Sequence, residues 1–212
     1  MRYYISDLHF FHRSMNTRMD NRGFSSVEEM NEYMVKAWNL RVHRGDEVVI
    51  LGDLSIGKKE ETEEILKRLK GKKYLITGNH DKFLRDKSFD RNLFENIQPY
   101  MEMNDNKRKV ILCHYPVFCY NGQYKKENEK IAGVYMLHGH VHDTYDQALV
   151  DQFILETKQV KRNIRGEMTP IPCNILNCFC KWSDYIPWTL DEWIAFHKER
   201  LKTGFPKIQD AV

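Results

Sequence analysis

The sequence predicts an α/β fold, and three of its features lead to this prediction. Five-residue apolar runs alternate with longer segments in which apolar residues recur at helical spacing. Strand–helix–strand order of this kind is typical of a sheet covered by helices. Polar side chains that can bind metals follow directly after the apolar runs. The length, 212 residues, suits one domain with a sizeable core.

Each predicted element has its own local justification. The apolar runs that predict strands are RYYIS, EVVIL, KYLIT, KVILC and VYMLH, at 2–6, 47–51, 73–77, 109–113 and 134–138. The segment FSSVEEMNEYMVKAWN predicts a helix that Ser25 or Ser26 caps. KKEETEEILKRLKGKK is acidic at its start and basic at its end, as a helix dipole favours, and Gly71 is expected to end it. In TLDEWIAFHKERLK, Thr189 and Glu192 have capping-box spacing, which predicts a last helix.

One stretch departs from this alternation. Residues 146–170 contain the basic run KQVKRNIR (158–165) and then the proline-containing segment EMTPIP. We expect an inserted hairpin or a flap near 146–172 on a domain that otherwise spans 1–212. A solvated hairpin face is the favoured interpretation of the basic residues, and contact with phosphate groups is the alternative.

Composition narrows the class of protein without indicating a partner. The formal net charge is +3, which is mild for a protein that binds nucleic-acid backbones. No apolar run is long enough for a signal peptide or a membrane span, so we expect a cytoplasmic protein. The five cysteines are expected to be reduced, buried thiols. Cys173, Cys178 and Cys180 lack the paired spacing of structural zinc sites.

The strongest signal is the set of polar residues that follow the predicted strands. These residues are Asp7 and His9 in DLH, Asp53 in GD, Asn79, His80 and Asp81 in GNHD, His114, and His140 and His142 in GHVH. The carboxyl ends of neighbouring strands converge on one edge of a sheet, where open α/β folds place their sites. A glycine precedes Asp53, Asn79 and His140, which lets the backbone turn sharply and approach a site closely.

The donor types predict a metal centre. In an extended D-x-H or H-x-H, side-chain period two directs both groups to the same face, so each pair can chelate. Carboxylate, imidazole and amide oxygen donors together suit Mn, Fe, Zn, Co or Ni better than Mg or Ca. Seven of these residues, the set without His80 and Asp81, are already too many donors for one ion that also binds water. They suit two ions that share a carboxylate, about 3.5–4 Å apart.

The five motifs, in this order, resemble the signature of the calcineurin-like metallophosphoesterases, which runs D-x-H, G-D, G-N-H-[D/E], a histidine and G-H-x-H. All five are intact here. The resemblance covers roughly 1–145 and resumes at NILNCFCKWSDYIPWTLDEW, and SDLHFFH is most similar to compact prokaryotic and phage members. It implies a four-layer α/β/β/α sandwich of two mixed sheets flanked by helices.

The resemblance also implies roles for individual residues. One metal would be held by Asp7, His9, Asp53 and His142, and a second by Asp53, Asn79, His114 and His140. Asp53 would therefore be shared between the two ions. His80 corresponds to the family's catalytic histidine, and Asp81 would accept a hydrogen bond that orients it.

The activity that follows from the resemblance is hydrolysis of phosphate esters by two divalent ions, with a shared hydroxide as nucleophile and His80 assisting. Manganese is the expected metal, and Fe, Zn, Ni and Co are the alternatives. A phosphodiesterase or nucleotide phosphoesterase acting on a small substrate is favoured. A phosphomonoesterase or protein phosphatase, then a nuclease, then a non-catalytic metal-binding scaffold are the alternatives. Nucleic acid is a less favoured partner, a membrane is not expected, and the sequence gives no oligomeric state.

Several further side chains have competing interpretations. His12 is expected either to reach a substrate phosphate or to lie on the surface. His138 precedes the matched glycine and is expected to form only local hydrogen bonds. His43 and His197 are expected on the surface. The aromatic residues after His114 (Tyr115, Phe118, Tyr120 and Tyr124) are divided between core packing and stacking on a nucleobase.

Overall fold

A computed structural model describes residues 1–127, 130–131, 133–164 and 166–202 of the chain. Its strands are β1 (Arg2–Ile5), β2 (Glu47–Ile50), β3 (Lys72–Ile76), β4 (Asn96–Gln98), β5 (Tyr100–Asp105), β6 (Arg108–Cys113), β7 (Lys126–Glu127), β8 (Lys130–Ile131), β9 (Tyr135–His138), β10 (Lys161–Ile164), β11 (Glu167–Pro170) and β12 (Ile175–Asn177). Its α-helices are α1 (Val27–Arg41), α2 (Lys59–Arg68), α3 (Tyr145–Gln159) and α4 (Leu190–Arg200). Short 3₁₀ turns cover Arg13–Asn16, Lys82–Arg85, Arg91–Leu93 and Cys180–Ser183.

Two four-stranded sheets form the centre of the molecule. The first has the order β1-β2-β3-β4, and all its strands are parallel. The second has the order β12-β9-β6-β5, in which only the β5–β6 pair is antiparallel. The family resemblance implied two mixed sheets, whereas only the second is mixed. The chain after β1 joins the sheets, because Ser6 pairs with Phe179 beyond the end of β12.

Three apolar clusters show how the layers pack. Side chains from both sheets meet in one cluster, for example Val49 of β2 with Leu112 of β6 and Leu137 of β9. A second cluster packs the other face of the first sheet against α1 and α2. A third packs the second sheet against α3, through residues such as Ile111 and Ile154. The mixed α/β class is therefore confirmed. The finer four-layer description stays a prediction, with which these clusters agree.

The helix boundaries follow from local chemistry. Ser26, not Ser25, caps α1 by accepting a hydrogen bond from the N–H of Glu29 at 3.0 Å. Thr189 and Glu192 form the expected capping box at the start of α4. Gly71 follows α2 with a φ of +84°, in the left-handed region that favours glycine.

The stretch from 146 to 172 is more regular than the sequence analysis expected. It contains most of helix α3, which was not predicted, and the antiparallel β10–β11 hairpin, which was. Val150 and Ile154 of α3 are buried against the second sheet. The basic run and the prolines obscured this apolar spacing. Lys158, Lys161 and Arg162 are exposed, and Arg165 lies outside the described residues.

Two expectations about buried side chains were wrong. His197 is buried, not on the surface, and its Nε2 lies 2.7 Å from the carbonyl oxygen of Asn177. Among the cysteines, Cys119 is exposed and Cys113 is half-buried, while Cys173, Cys178 and Cys180 are buried thiols as expected. His138 is buried, with Nδ1 2.8 Å from the carbonyl of Gly139, as its local interpretation predicted. In the described part of the chain, no helix is long and apolar enough to cross a membrane.

Candidate metal centre

The residues that the sequence analysis selected lie together at the carboxyl ends of the strands. Asp7 and His9 follow β1, Asp53 follows β2, Asn79, His80 and Asp81 follow β3, His114 follows β6, and His140 and His142 follow β9. Because β1, β2 and β3 are parallel neighbours, and β6 and β9 are too, each sheet brings its donors to one edge. Packing of the two sheets then joins the two edges.

The side-chain alternation predicted for D-x-H and H-x-H requires an extended backbone. The backbone at these positions is not extended. Asp7, His9, Asp53, His140 and His142 have φ values of 57°, 50°, 52°, 70° and 48°. Non-glycine residues enter this left-handed region at a cost of about 1–3 kcal/mol each, and they persist where the surroundings hold them. Alternation along a strand is therefore not what brings each pair of side chains together. Left-handed turns beyond the strand ends do so instead.

The glycines before the motif residues allow close approach, as predicted. A Cβ on Gly52 would lie 2.3 Å from His114 Nδ1, and one on Gly78 would lie 2.3 Å from Asp53 Oδ1. A Cβ on Gly139 would lie 2.5 Å from Asp7 Oδ2. Gly52 also has a φ of +83°, so it meets both requirements for glycine.

Asp7, His9 and His142, which we call the first ligand group, are all buried and could hold a metal ion. The Nε2 atoms of His9 and His142 are 3.2 Å apart, and His142 Nε2 is 3.6 Å from Asp7 Oδ1. Asp7 also accepts hydrogen bonds from the backbone N–H of His140 and the hydroxyl of Ser6. These bonds fix the carboxylate within the group.

Asp53, His114 and His140 form the second ligand group, in which His140 is exposed. His114 Nδ1 lies 2.8 Å from the carbonyl of Leu51 and donates to it. The Nε2 of His114 faces two oxygens, Asn79 Oδ1 at 3.1 Å and Asp53 Oδ2 at 3.5 Å. Asp53 Oδ2 is also 3.5 Å from His9 Nε2, so this oxygen lies between the two groups.

The donor set fits divalent cations because it brings acceptor atoms together. A neutral imidazole that donates through one nitrogen presents a lone pair at the other, and carboxylates only accept. When no cation is bound, a second proton on the His114 ring relieves the repulsion between these acceptor atoms. Burial opposes that proton, but Asp53 and Asp7 outweigh it and raise the pKa of His114 to about 9. Burial instead holds the pKa of His9 well below its usual value, and the neighbouring His142 ring acts in the same direction because a proton on both rings would be repelled.

His80 and Asp81 differ in what they contact. The N–H of His80 donates to Asp53 Oδ1 at 2.8 Å, and the imidazole ring lies 5.2 Å from that of His9. The carboxylate of buried Asp81 accepts hydrogen bonds from the backbone N–H groups of Gly78, Asp53 and Leu54. Asp81 therefore shapes the backbone under Asp53, and the expected hydrogen bond from the His80 ring does not occur among the described contacts. Burial raises the pKa of Asp81 to about 6.

Three residues that sequence reasoning missed or left open also reach the centre. Asp20 Oδ1 lies 2.6 Å from His142 Nδ1, and the buried guanidinium of Arg22 bonds to Asp20 Oδ2. They come from a loop (MDNRG) with no strand end or motif to mark it. His12, which the sequence analysis left open, is half-buried with Nδ1 3.4 Å from His9 Nδ1.

A pocket of about 300 Å³ opens over the centre. Besides residues of both ligand groups, Asn79 and His80, it is lined by Met19, Asp20, Val141, Thr144 and Asp146. Among the residues that the structure describes, its lining contains three aspartates and no lysine or arginine. The pocket is therefore suited to an anion only when cations compensate the carboxylates.

Comparison with known proteins shows the family. The family model of calcineurin-like phosphoesterases matches residues 3–190, so the chain belongs to that family. It is 34% identical over 142 residues to an uncharacterized protein of Methanocaldococcus jannaschii, which covers 66% of this chain and 68% of the relative. The Gene 66 protein of Mycobacterium phage D29 is 29% identical over 161 residues, covering 66% and 77%. The crystal structure of an Aquifex aeolicus protein of unknown function matches the fold with a TM-score of 0.59 and 23% identity, over 91% and 96% of the two chains.

Family membership implies metal-dependent hydrolysis of phosphoesters. Two groups of His and Asp side chains that could hold the metals are present in this chain.

Proposed function

We propose that this protein hydrolyses small phosphodiesters or nucleotide phosphoesters with two divalent ions, manganese first among them. The observation that carries the proposal is the pair of adjacent ligand groups, in which Oδ2 of Asp53 lies 3.5 Å from His114 Nε2 of its own group and 3.5 Å from His9 Nε2 of the other. When bound, the two ions would supply Lewis acidity and lower the pKa of a shared water. Asp7, His9, Asp53 and His142 would hold one ion, and Asp53, Asn79, His114 and His140 the other.

His80 is the group proposed to act on the substrate. It lines the pocket, and its backbone N–H is fixed by Asp53, so its position is tied to the carboxylate between the two groups. From there its imidazole would donate a proton to the leaving oxygen or offset charge on the phosphoryl group. A positioned acid of this kind contributes about 10²–10⁴-fold to turnover.

The charge of the pocket favours a diester over a monoester. A phosphodiester carries one negative charge, whereas a monoester carries up to two near neutral pH. Among the described residues, the pocket lining has no lysine or arginine, and Arg22 offsets the charge of Asp20 from behind. The ions must therefore offset the charge of the substrate together with that of Asp53 and Asp146. The volume of about 300 Å³ is at the small end for a ligand pocket, which supports a small substrate over a polymer.

The test compares hydrolysis of bis-p-nitrophenyl phosphate and p-nitrophenyl phosphate by chelator-stripped protein, with and without added Mn²⁺. We expect Mn²⁺ to restore turnover and the diester to be the better substrate. Co²⁺, Ni²⁺, Zn²⁺ and Fe²⁺ in parallel would rank the metals. Two tightly bound ions without turnover of either ester would contradict the hydrolase and favour a metal-binding scaffold.

A further inference from the structure

A buried arginine connects the loop after β1 to the first ligand group. The side chain of Arg22 is fully buried. Its guanidinium donates to the carbonyl oxygens of Leu8 at 2.7 Å and Asp7 at 2.8 Å. It also donates to Asp20 Oδ2 through Nε at 3.0 Å and through a terminal nitrogen at 2.8 Å. A buried cation is tolerated only when such partners are in place.

Asp20 continues this connection to His142. Its Oδ2 faces Arg22, and its Oδ1 lies 2.6 Å from His142 Nδ1. A carboxylate can only accept in such a contact, so His142 must carry its proton on Nδ1. In the neutral ring the lone pair is then on Nε2, which faces the other members of the first ligand group. Hydrogen bonding at one imidazole nitrogen sets which nitrogen can bind a metal.

The two residues that this connection reaches, Asp7 and His142, both have backbone in the left-handed region. Asp7 has a φ of 57° and His142 a φ of 48°. Arg22 bonds to the carbonyl of Asp7 itself and to that of the next residue, so it holds this turn. The same guanidinium thereby reaches two metal-ligand candidates, one through the backbone and one through Asp20.

We infer that Asp20 and Arg22 form a positioning pair that sets the metal affinity of the first ligand group. Asp20 places the proton of the neutral His142 ring on Nδ1 and leaves the lone pair on Nε2, and Arg22 holds both Asp20 and the turn at Asp7. The inference rests on the proposed metal centre and not on the reaction that the centre catalyses.

Asp20→Asn gives a sharp test because it replaces one of the two carboxylate oxygens, which accept hydrogen bonds, with an NH₂ group, which donates them. Arg22 can only donate, so the single amide oxygen of Asn must face it. The amide NH₂ is left to face His142 Nδ1, which must then accept, and the imidazole proton moves to Nε2. A protonated Nε2 has no lone pair for a metal. We expect the Mn²⁺ affinity of one of the two sites to fall about 10–100-fold.

Two measurements on chelator-stripped full-length protein test this expectation without using activity. Long-range ¹H–¹⁵N spectra of the histidine rings report which nitrogen of His142 carries the proton in the neutral form. Titration calorimetry with Mn²⁺ reports the affinity of each site. Asp20→Glu keeps the carboxylate and should retain the Nδ1–H form. Arg22→Lys should weaken Mn²⁺ binding as well, since one ammonium cannot replace the planar fork.

Asp46→Asn is the matched control, because Asp46 is also a buried carboxylate with two partners. It accepts from the N–H of His43 and from the amino group of Met1, before β2 and at the other end of the sheet. We expect Asp46→Asn to lower thermal stability while Mn²⁺ affinity stays within about twofold of the wild type.

The inference is overturned if Asp20→Asn keeps the Nδ1–H form and binds Mn²⁺ as the wild type does. Absence of Mn²⁺ binding by the wild type would instead overturn the proposed function.

Discussion

The two ligand groups lie side by side but are built differently. In the first group all three side chains are buried, and hydrogen bonds from behind hold Asp7 and His142. In the second group His114 is held by Leu51, whereas His140 is exposed and its ring contacts Tyr115, with centroids 4.6 Å apart. Tyr115 is itself 45% exposed.

This difference indicates a division of roles within one site. A preorganised, buried set of donors loses little entropy when it binds an ion, so the first group should bind more tightly. The second group opens to the pocket, where an ion remains accessible to a substrate oxygen. We therefore expect two unequal Mn²⁺ affinities in the wild type, and the variants below test which residues belong to which group.

The largest effect is expected for Asp53→Asn. Its Oδ2 is the atom that lies 3.5 Å from nitrogens of both groups, so the substitution weakens both at once. Removal of a positioned acid lowers activity by about 10²–10⁴-fold, and Asp53→Asn should lower it further. Calorimetry should show both Mn²⁺ sites weakened. If one site kept its wild-type affinity, Asp53 would belong to a single group.

The next effect is expected for His80→Ala, which belongs to neither group. Turnover of the diester should fall about 10²–10⁴-fold because the acid is removed. The Mn²⁺ content should remain that of the wild type, as metal analysis of the purified variant would show. Loss of a metal ion would make His80 a ligand and contradict its proposed role.

Two glycine substitutions should separate the groups more finely. The new Cβ of Gly139→Ala would lie 2.5 Å from Asp7 Oδ2, in the first group, and that of Gly52→Ala 2.3 Å from His114 Nδ1, in the second. Each should weaken one Mn²⁺ site by about tenfold or more. Gly45→Ala is the control, because its Cβ would meet nothing within 4 Å. Equal weakening of both sites by either variant would remove the distinction between the groups.

The smallest effect is expected for the hydrogen bonds behind His142 of the first group, and it is an effect on the stability of the fold. The side-chain amide of Asn177 donates to the carbonyl of His142, and His197 donates to the carbonyl of Asn177. Burial, reinforced by the positive charge of Arg200, lowers the pKa of His197 to about 3. The unfolded chain, with an ordinary histidine pKa of about 6.5, binds this proton first as the pH falls. Stability from neutral His197 is therefore full above about pH 6.5 and is lost progressively toward pH 3.

Urea unfolding at pH 7 and pH 5 measures this loss. For a single such histidine we expect about 2 kcal/mol between these two pH values. His197→Gln can still donate to Asn177 but does not titrate, so its stability should change less over the same range. Identical pH dependence of the two proteins would show that His197 is not the group responsible.

Much of the fold could be predicted because its signals are local. The strands near 2–6, 47–51, 73–77, 109–113 and 134–138 are apolar enough to be buried on both faces, as β2 is between two clusters. The caps at Ser26 and Thr189 depend only on neighbouring residues. Helix α3 was missed because a basic run and prolines follow its apolar face directly.

For the site, the sequence by itself determined which donors gather at the strand ends, because motif residues and strand ends are both visible in the chain. It also determined the need for glycine at positions 52, 78 and 139, where a neighbouring donor leaves no room for a Cβ. Tertiary structure decided what lies behind those donors. Asp81 bonds to backbone rather than to His80, and His197 is buried rather than exposed. Asp20 contacts His142, and Arg22 contacts Asp20 and the carbonyl oxygens of Asp7 and Leu8, only in the folded chain. No local pattern encodes a contact across 122 residues.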